Sequence, residues 1–203
     1  MPRSRRDEYA EASRAALIAA ARRRSFGKFG YDAVALQQIA DAARLTTGAI
    51  YHHFGGKRGL FEEVARGVER HIMEAVVNGA QRHAGLWERL TAGIDGLLEV
   101  ASNPGIQQIV FRDAPVVIGV ASWREIEGEY AYGLLRSGLH QLQDAGLLAP
   151  VGPDIAASIL LGALIEAATV VANSSDKGLA LVDARLTISM MLRGLRSENP
   201  ERG

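Results

Sequence analysis

The sequence predicts an all-α protein, an N-terminal three-helix helix-turn-helix unit followed by a larger helical domain, with about nine helices altogether. Three observations point there. Apolar residues recur at three- and four-residue intervals through most of the chain, while β-branched alternating runs are scarce. Alanine and leucine are abundant in a composition that is 48% hydrophobic, 23% charged and 6% aromatic, as in packed helices. Between the periodic stretches stand Gly, Pro, Ser, Thr or Asp, at positions suited to starting or ending a helix.

Taken in order, residues 1–7 carry Arg3, Arg5 and Arg6 without apolar periodicity and are expected to form a basic arm able to follow phosphates or enter a minor groove. A helix from Glu8 places Leu17, Ile18, Ala21, Ser25, Phe26 and Phe29 on one face and ends at Gly30. Leu36, Ile39, Ala40 and Ala43 fall at i, i+3, i+4 and i+7, the stripe of a second short helix. Thr46 can cap a third, on which Ile50 and Phe54 face the core. Two short helices joined by so few residues make a helix-turn-helix. The side of the third helix opposite Ile50 and Phe54 carries Thr47, Gly48, Tyr51 and His52, a row free of acid and suited to a major groove.

Gly55 and Gly56 allow a sharp turn into a connector helix, residues 57–80, with Leu60, Phe61, Val64, Val68, Ile72 and Val76 along it. A helix carrying Leu86 to Leu98 lies between Gly85 and Pro104, and a shorter one over Ile106–Asp113 is expected to stop before Pro115. Ser122 is expected to cap one long helix from Trp123 to Asp144. Pro153 and Asp154 begin the next, and the last runs to about Leu195. The chain is therefore expected to divide into a helix-turn-helix unit, 1–56, and a larger helical domain, 57–203.

The formal net charge is zero, but the charge is divided. Through residue 60 there are eleven Lys or Arg against five Asp or Glu, and thereafter twelve against eighteen. A basic first third joined to an acidic remainder suggests that only the first part meets a polyanion. The absence of cysteine excludes disulfides and thiolate metal sites. His52 and His53 are adjacent and point to different faces, so no metal site is expected. No secretory h-region is expected at the basic N-terminus, the lack of cysteine permits a reducing cytoplasm, and a cytoplasmic location is expected. The longest apolar run, Ile155 to Ala172, is broken by Ser158, Gly162, Glu166 and Thr169 and reads as an interface helix rather than a membrane span.

The stretch FGKFGYDAVALQQIADAARLTTGAIYHHFGGKRGLF, Phe26 to Phe61, resembles the DNA-binding domain of the TetR family of bacterial transcription regulators. The match rests on the Gly30-Tyr31 helix end, the Ile39-Ala40 core pair, Gly48 through Phe54, and Lys57 followed by Leu60-Phe61. It departs from the family at Val34 and Ala35, where a hydroxyl usually caps the second helix and binds phosphate; Asp32 is the alternative cap. The resemblance implies base contacts from Gln37, Thr47, Gly48 and Tyr51, and phosphate contacts from Thr46, His52 and Lys57.

The same resemblance implies a homodimer on a palindromic DNA operator, a repressor released by a small-molecule effector, with no cofactor and no catalysis. An effector-independent or activating protein of the same fold is the alternative. The last two helices carry the expected dimer face: Ile155, Ile159, Ala163, Ala167 and Val170 on one, Leu181, Ala184, Ile188, Met191 and Leu195 on the other. Polar and aromatic residues interrupting the apolar domain, Phe111, Asp113, Trp123, Tyr130, Glu166 and Asn173, are the expected ligand contacts. Glu166 could instead pair with Arg112 or His140.

Overall fold

The computed structural model describes residues 5–197, so Arg3 of the expected arm lies outside the described residues. These residues form ten helices with no strand; the one β-bridge joins Leu148 to Arg196. They fall into two compact units, the first comprising residues up to Val68 together with Pro104–Trp123, the second Glu69–Asn103 with the remainder from Arg124. The compact units are thus cut differently from the division expected at residue 56, because the segment around Pro104–Val117 packs with the N-terminal helices.

In the first unit, α1 (Arg5–Ala20) continues through a π-helical stretch, Ala21–Phe26, and a last turn, Gly27–Phe29. The helix therefore starts earlier than Glu8 and is wound differently near its end. Ser25 and Phe26 are buried, whereas Phe29, expected on the core face, is 57% exposed. A widened turn shifts the register of every residue after it, so a stripe read with one period fails there. Gly30 has φ 81° and closes the helix. Next come α2 (Leu36–Ala43) and α3 (Thr47–Phe54), joined through Arg44, whose φ is 58°. Leu17, Ile39, Ala40 and Ile50 are fully buried among these three helices.

The connector, α4 (Lys57–Ala80), is a continuous helix shared by both units. Its first turns bury Leu60, Phe61, Val64 and Val68 in the first unit. Phe61, Phe26 and Tyr31 form an aromatic trio with ring centroids 5.1–5.8 Å apart, each such pair contributing about 0.5–1.5 kcal/mol beyond area burial. The segment α6 comprises Pro104–Ile106, the π-helical Gln107–Asp113 and Ala114–Val117, so Pro115 sits in the first turn of its last part and does not end it.

The second unit contains α5 (Leu86–Ala101), most of α7 (Val120–Glu129), α8 (Ala131–Asp144), α9 (Pro153–Asn173) and α10 (Lys177–Gly194). The expected single helix from Trp123 to Asp144 is broken at Tyr130, with φ −121° and ψ −124°. Glycines flank the break, and a Cβ on Gly133 would collide with the Gly128 carbonyl. Within this unit α4 and α5 approach closely through glycines. A Cβ on Gly79 would strike the Ala92 carbonyl, and one on Gly96 would lie 2.7 Å from the Ala75 carbonyl. Helix α9 packs on α5, α8 and α10.

Candidate DNA interface and ligand cavity

The candidate interface is built on α3. Thr46 adopts an extended backbone, and its hydroxyl accepts a 3.3 Å hydrogen bond from the Ala49 N–H, capping the helix as its sequence position suggests. Ile50 anchors the inner face, and Phe54 lies half-buried beneath the Arg14 guanidinium, 5.4 Å from its ring centroid. Arg14 is in turn paired with Glu63 of the connector. With that face fixed, Gly48, Tyr51 and His52 are exposed and Thr47 is half-buried. Tyr51 is 60% exposed. A Cβ on Gly56, whose φ is 136°, would lie 3.5 Å from the Tyr51 ring, ordinary contact, so the ring rests beside this residue.

The remaining expected DNA contacts occupy different settings. Gln37 is exposed on α2, its amide donating to Asp41 at 2.7 Å. The Lys57 ammonium stands 4.3 Å from the Tyr31 ring centroid, a cation–π contact that sets its direction. His53 meets His52 edge-on and Phe54 at a tilt, consistent with packing.

Asp32 does not cap α2. Ala35 occupies the cap position, and the Gln38 side chain accepts from the Ala35 N–H at 2.9 Å, one half of a capping box. Val34 is buried in the core instead.

The expected ligand contacts do not assemble. Asp113 accepts from the Tyr31 backbone N–H at 2.7 Å and from the Gln108 amide at 2.8 Å within the first unit. Burial raises its pKa, while those two hydrogen bonds and Arg112 pull it back down. Trp123 is core, 2% exposed. Phe111 is half-buried on the π-helical part of α6, and Tyr130 marks the break between α7 and α8. Glu166 and Asn173 are exposed on α9, the Asn173 amide donating to the Thr169 carbonyl. Glu166 has no need of a buried partner, because its side of α9 faces outward, and His140 pairs with Asp154 instead.

A cavity of about 200 Å³ lies elsewhere in the second unit, between α4, α5, α8 and α9, and none of those six residues lines it. Its floor is apolar, with Ile94, Leu97, Leu135 and Leu164 buried. Gln81, Arg89, Ser137 and Gln141 stand exposed where it opens. Sequence reasoning missed it because leucines at helical spacing read as solid core. The available signal was Arg89 set between Leu86 and Leu90.

Helix α9 is apolar around most of its circumference. Ile155, Ile159 and Val170 are 57–68% exposed, with Ala163 and Ala167 half-buried beside them. On α10 the exposed row is Leu179, Val182, Leu186 and Met190. Of the residues expected to face a partner, Met191 is exposed, Leu181, Ala184 and Leu195 are half-buried, and Ile188 is 3% exposed in the chain's own core. Ile188 is therefore corrected to an internal packing residue. Two adjacent apolar stripes run along α10, and periodicity cannot say which turns inward. By length and composition Pro153–Asn173 is apolar enough to cross a membrane, a test that a helix at the surface of a bundle also passes.

Comparison with known proteins decides what this arrangement is. Residues 17–64 match the bacterial regulatory proteins of the tetR family, and residues 87–195 match the tetracyclin repressor-like C-terminal domain. The chain belongs to the TetR family. A TetR-family transcriptional regulator from Pectobacterium atrosepticum is 31% identical, with a TM-score of 0.74 over 97% of this chain and 99% of that one. The HTH-type transcriptional repressor AcnR of Corynebacterium glutamicum is 37% identical over 54 residues, 27% of this chain and 29% of the relative. The repressor Rv1474c of Mycobacterium tuberculosis is 38% identical over 66 residues, 32% and 34% of the two chains. The matched stretch thus spans about a third of these curated relatives. This TetR-family protein is a DNA-binding transcriptional regulator with an N-terminal helix-turn-helix and a C-terminal helical domain.

Proposed function

We propose that the protein is a ligand-responsive repressor that binds a palindromic operator as a homodimer in the cytoplasm. The observation that carries this reading is the exposed row Gly48, Tyr51 and His52 on a helix pinned from behind by Ile50. Gln37, Thr47, Gly48 and Tyr51 would read base edges, with Thr46, His52 and Lys57 on phosphates. The Thr46 hydroxyl accepts from Ala49 yet keeps its own proton to donate.

Helix-turn-helix proteins read two half-sites about 34 Å apart, which requires a pair of heads. The outer faces of α9 and α10 supply the apolar surface for pairing, through Ile155, Ile159 and Val170 with Leu179, Val182, Leu186 and Met190. Glu166 lies on that outer face and would meet the partner or its rim rather than a ligand. The head would comprise residues 1–56, and the connector 57–80 would carry the response, since α4 both begins beside α3 and lines the cavity. A ligand preferring one setting of α4 shifts the population of DNA-competent dimers.

Footprinting of the purified protein on DNA flanking its own coding region tests the reading. A protected palindrome is the expected result, and random protection at every concentration would remove it.

A further inference from the structure

The lining of the cavity divides sharply by chemistry. Inside are Ile94, Leu97, Leu135 and Leu164, all buried; at the opening are Gln81, Ser137 and Gln141, with Arg89 as the single charged residue and no acid. The Arg89 guanidinium has neither an ion pair nor a hydrogen bond among the described residues. The Gln141 amide donates to Ser137 at 3.3 Å, so the polar groups at the opening are organised across one helical turn. At about 200 Å³ the space is smaller than the roughly 300–1,000 Å³ of sites for drug-sized molecules.

We propose that this cavity binds a small aliphatic carboxylic acid tail-first, its carboxylate held at the opening by Arg89 with Gln81 and Gln141 alongside. This deepens the ligand-responsive reading given above and rests on it for its regulatory meaning. An apolar floor gains from each methylene it dehydrates. A planar guanidinium with several N–H donors matches a carboxylate in a bidentate fork. An amine head would meet Arg89 with no acid to offset it, and a neutral alcohol would leave the guanidinium's preference for an anion unused. The tail would run along α4 at Val76 and Val77, on the helix that begins at the DNA-reading head.

The test uses the full-length protein and calorimetric titration with hexanoate, octanoate, 1-octanol and octylamine, below their aggregation thresholds. Octanoate is expected to bind, about four-fold tighter per methylene than hexanoate until the floor is filled. Arg89→Gln is expected to weaken octanoate at least ten-fold and leave 1-octanol unchanged. Leu135→Trp, which fills the floor, is expected to abolish binding of both. An unchanged octanoate affinity in Arg89→Gln, equal affinity for octylamine, or no binding of octanoate at millimolar concentration would each overturn the proposal. Operator binding is measured separately on the unliganded protein. Its absence would sink the repressor reading while octanoate binding stood, and octanoate binding without operator release would support this ligand class and remove the proposed response.

Discussion

The Asp113 carboxylate accepts a 2.7 Å hydrogen bond from the backbone N–H of Tyr31, tying α6 to the turn that follows α1. Beside it, a Cβ on Gly30 would lie 2.9 Å from the Gln108 amide, and one on Gly27 would lie 3.4 Å from the Gly105 Cα, so α6 fits closely against the end of α1. Asp113→Ala leaves a backbone donor without its partner. Thermal unfolding should show a loss of about 1 kcal/mol, the lower end of the range because the group is half-exposed. Asp113→Asn, which keeps an acceptor oxygen, should recover most of it.

Tyr51→Ala removes a ring that is 60% exposed and rests beside Gly56. The variant should fold and dimerise as before and lose about 1–3 kcal/mol of operator affinity in a binding titration. An equal loss on unrelated DNA would assign Tyr51 to the phosphates instead of the bases.

Gly59 lies in the first turn of α4, where an added methyl would collide with the Phe54 carbonyl at the end of α3. Gly59→Ala should cost about 1–3 kcal/mol in stability. It should also weaken operator binding beyond what the stability loss explains, since relief of the clash moves α3. Retention of full operator affinity would show that the turn yields elsewhere.

Glu69 is 3% exposed, and burial, reinforced by the Glu127 carboxylate, raises its pKa to about 8. From its usual 4.5 up to that value the folded chain holds a proton that the unfolded chain has released, so stability falls as pH rises through this window. Below the window Glu69 is neutral in both states and Glu69→Gln should change little. Above it the variant avoids a buried charge and should melt higher. A melting difference between variant and parent that stays flat from pH 5 to pH 9 would contradict this account.

Leu186 is 57% exposed in the middle of the outer row of α10. Leu186→Glu should leave the helical signal intact and halve the mass seen by sedimentation. Ile188→Glu, by contrast, places a charge in the chain's own core and should unfold it. A dimer that survives Leu186→Glu would place the interface elsewhere.

The head was legible because its signals are local. Thr46 caps where a hydroxyl precedes an apolar stripe, Gly30 and Gly55 close helices with positive φ, and Ile39, Ala40 and Ile50 are buried at the spacing that their periodicity requires. The π-helical turn at Ala21–Phe26 was not legible, since one extra residue in a turn leaves no mark on composition. In the second unit, Glu166 misled because a carboxylate among leucines suggests burial, while α9 turns that side outward. The cavity escaped notice for the opposite reason. Whether Leu90 and Leu134 meet other side chains or empty space depends on helix separation, which no single sequence period encodes.

The glycine seam between α4 and α5 separates what this fold can change from what it cannot. Gly79 and Gly96 stand where even a methyl would press on a carbonyl of the opposite helix, so the distance between these two walls of the cavity is fixed by backbone against backbone. Leu90, Leu134 and Gln141 meet the cavity through their side chains. Specificity can therefore be rewritten at the lining, one side chain at a time, inside a frame that keeps its dimensions.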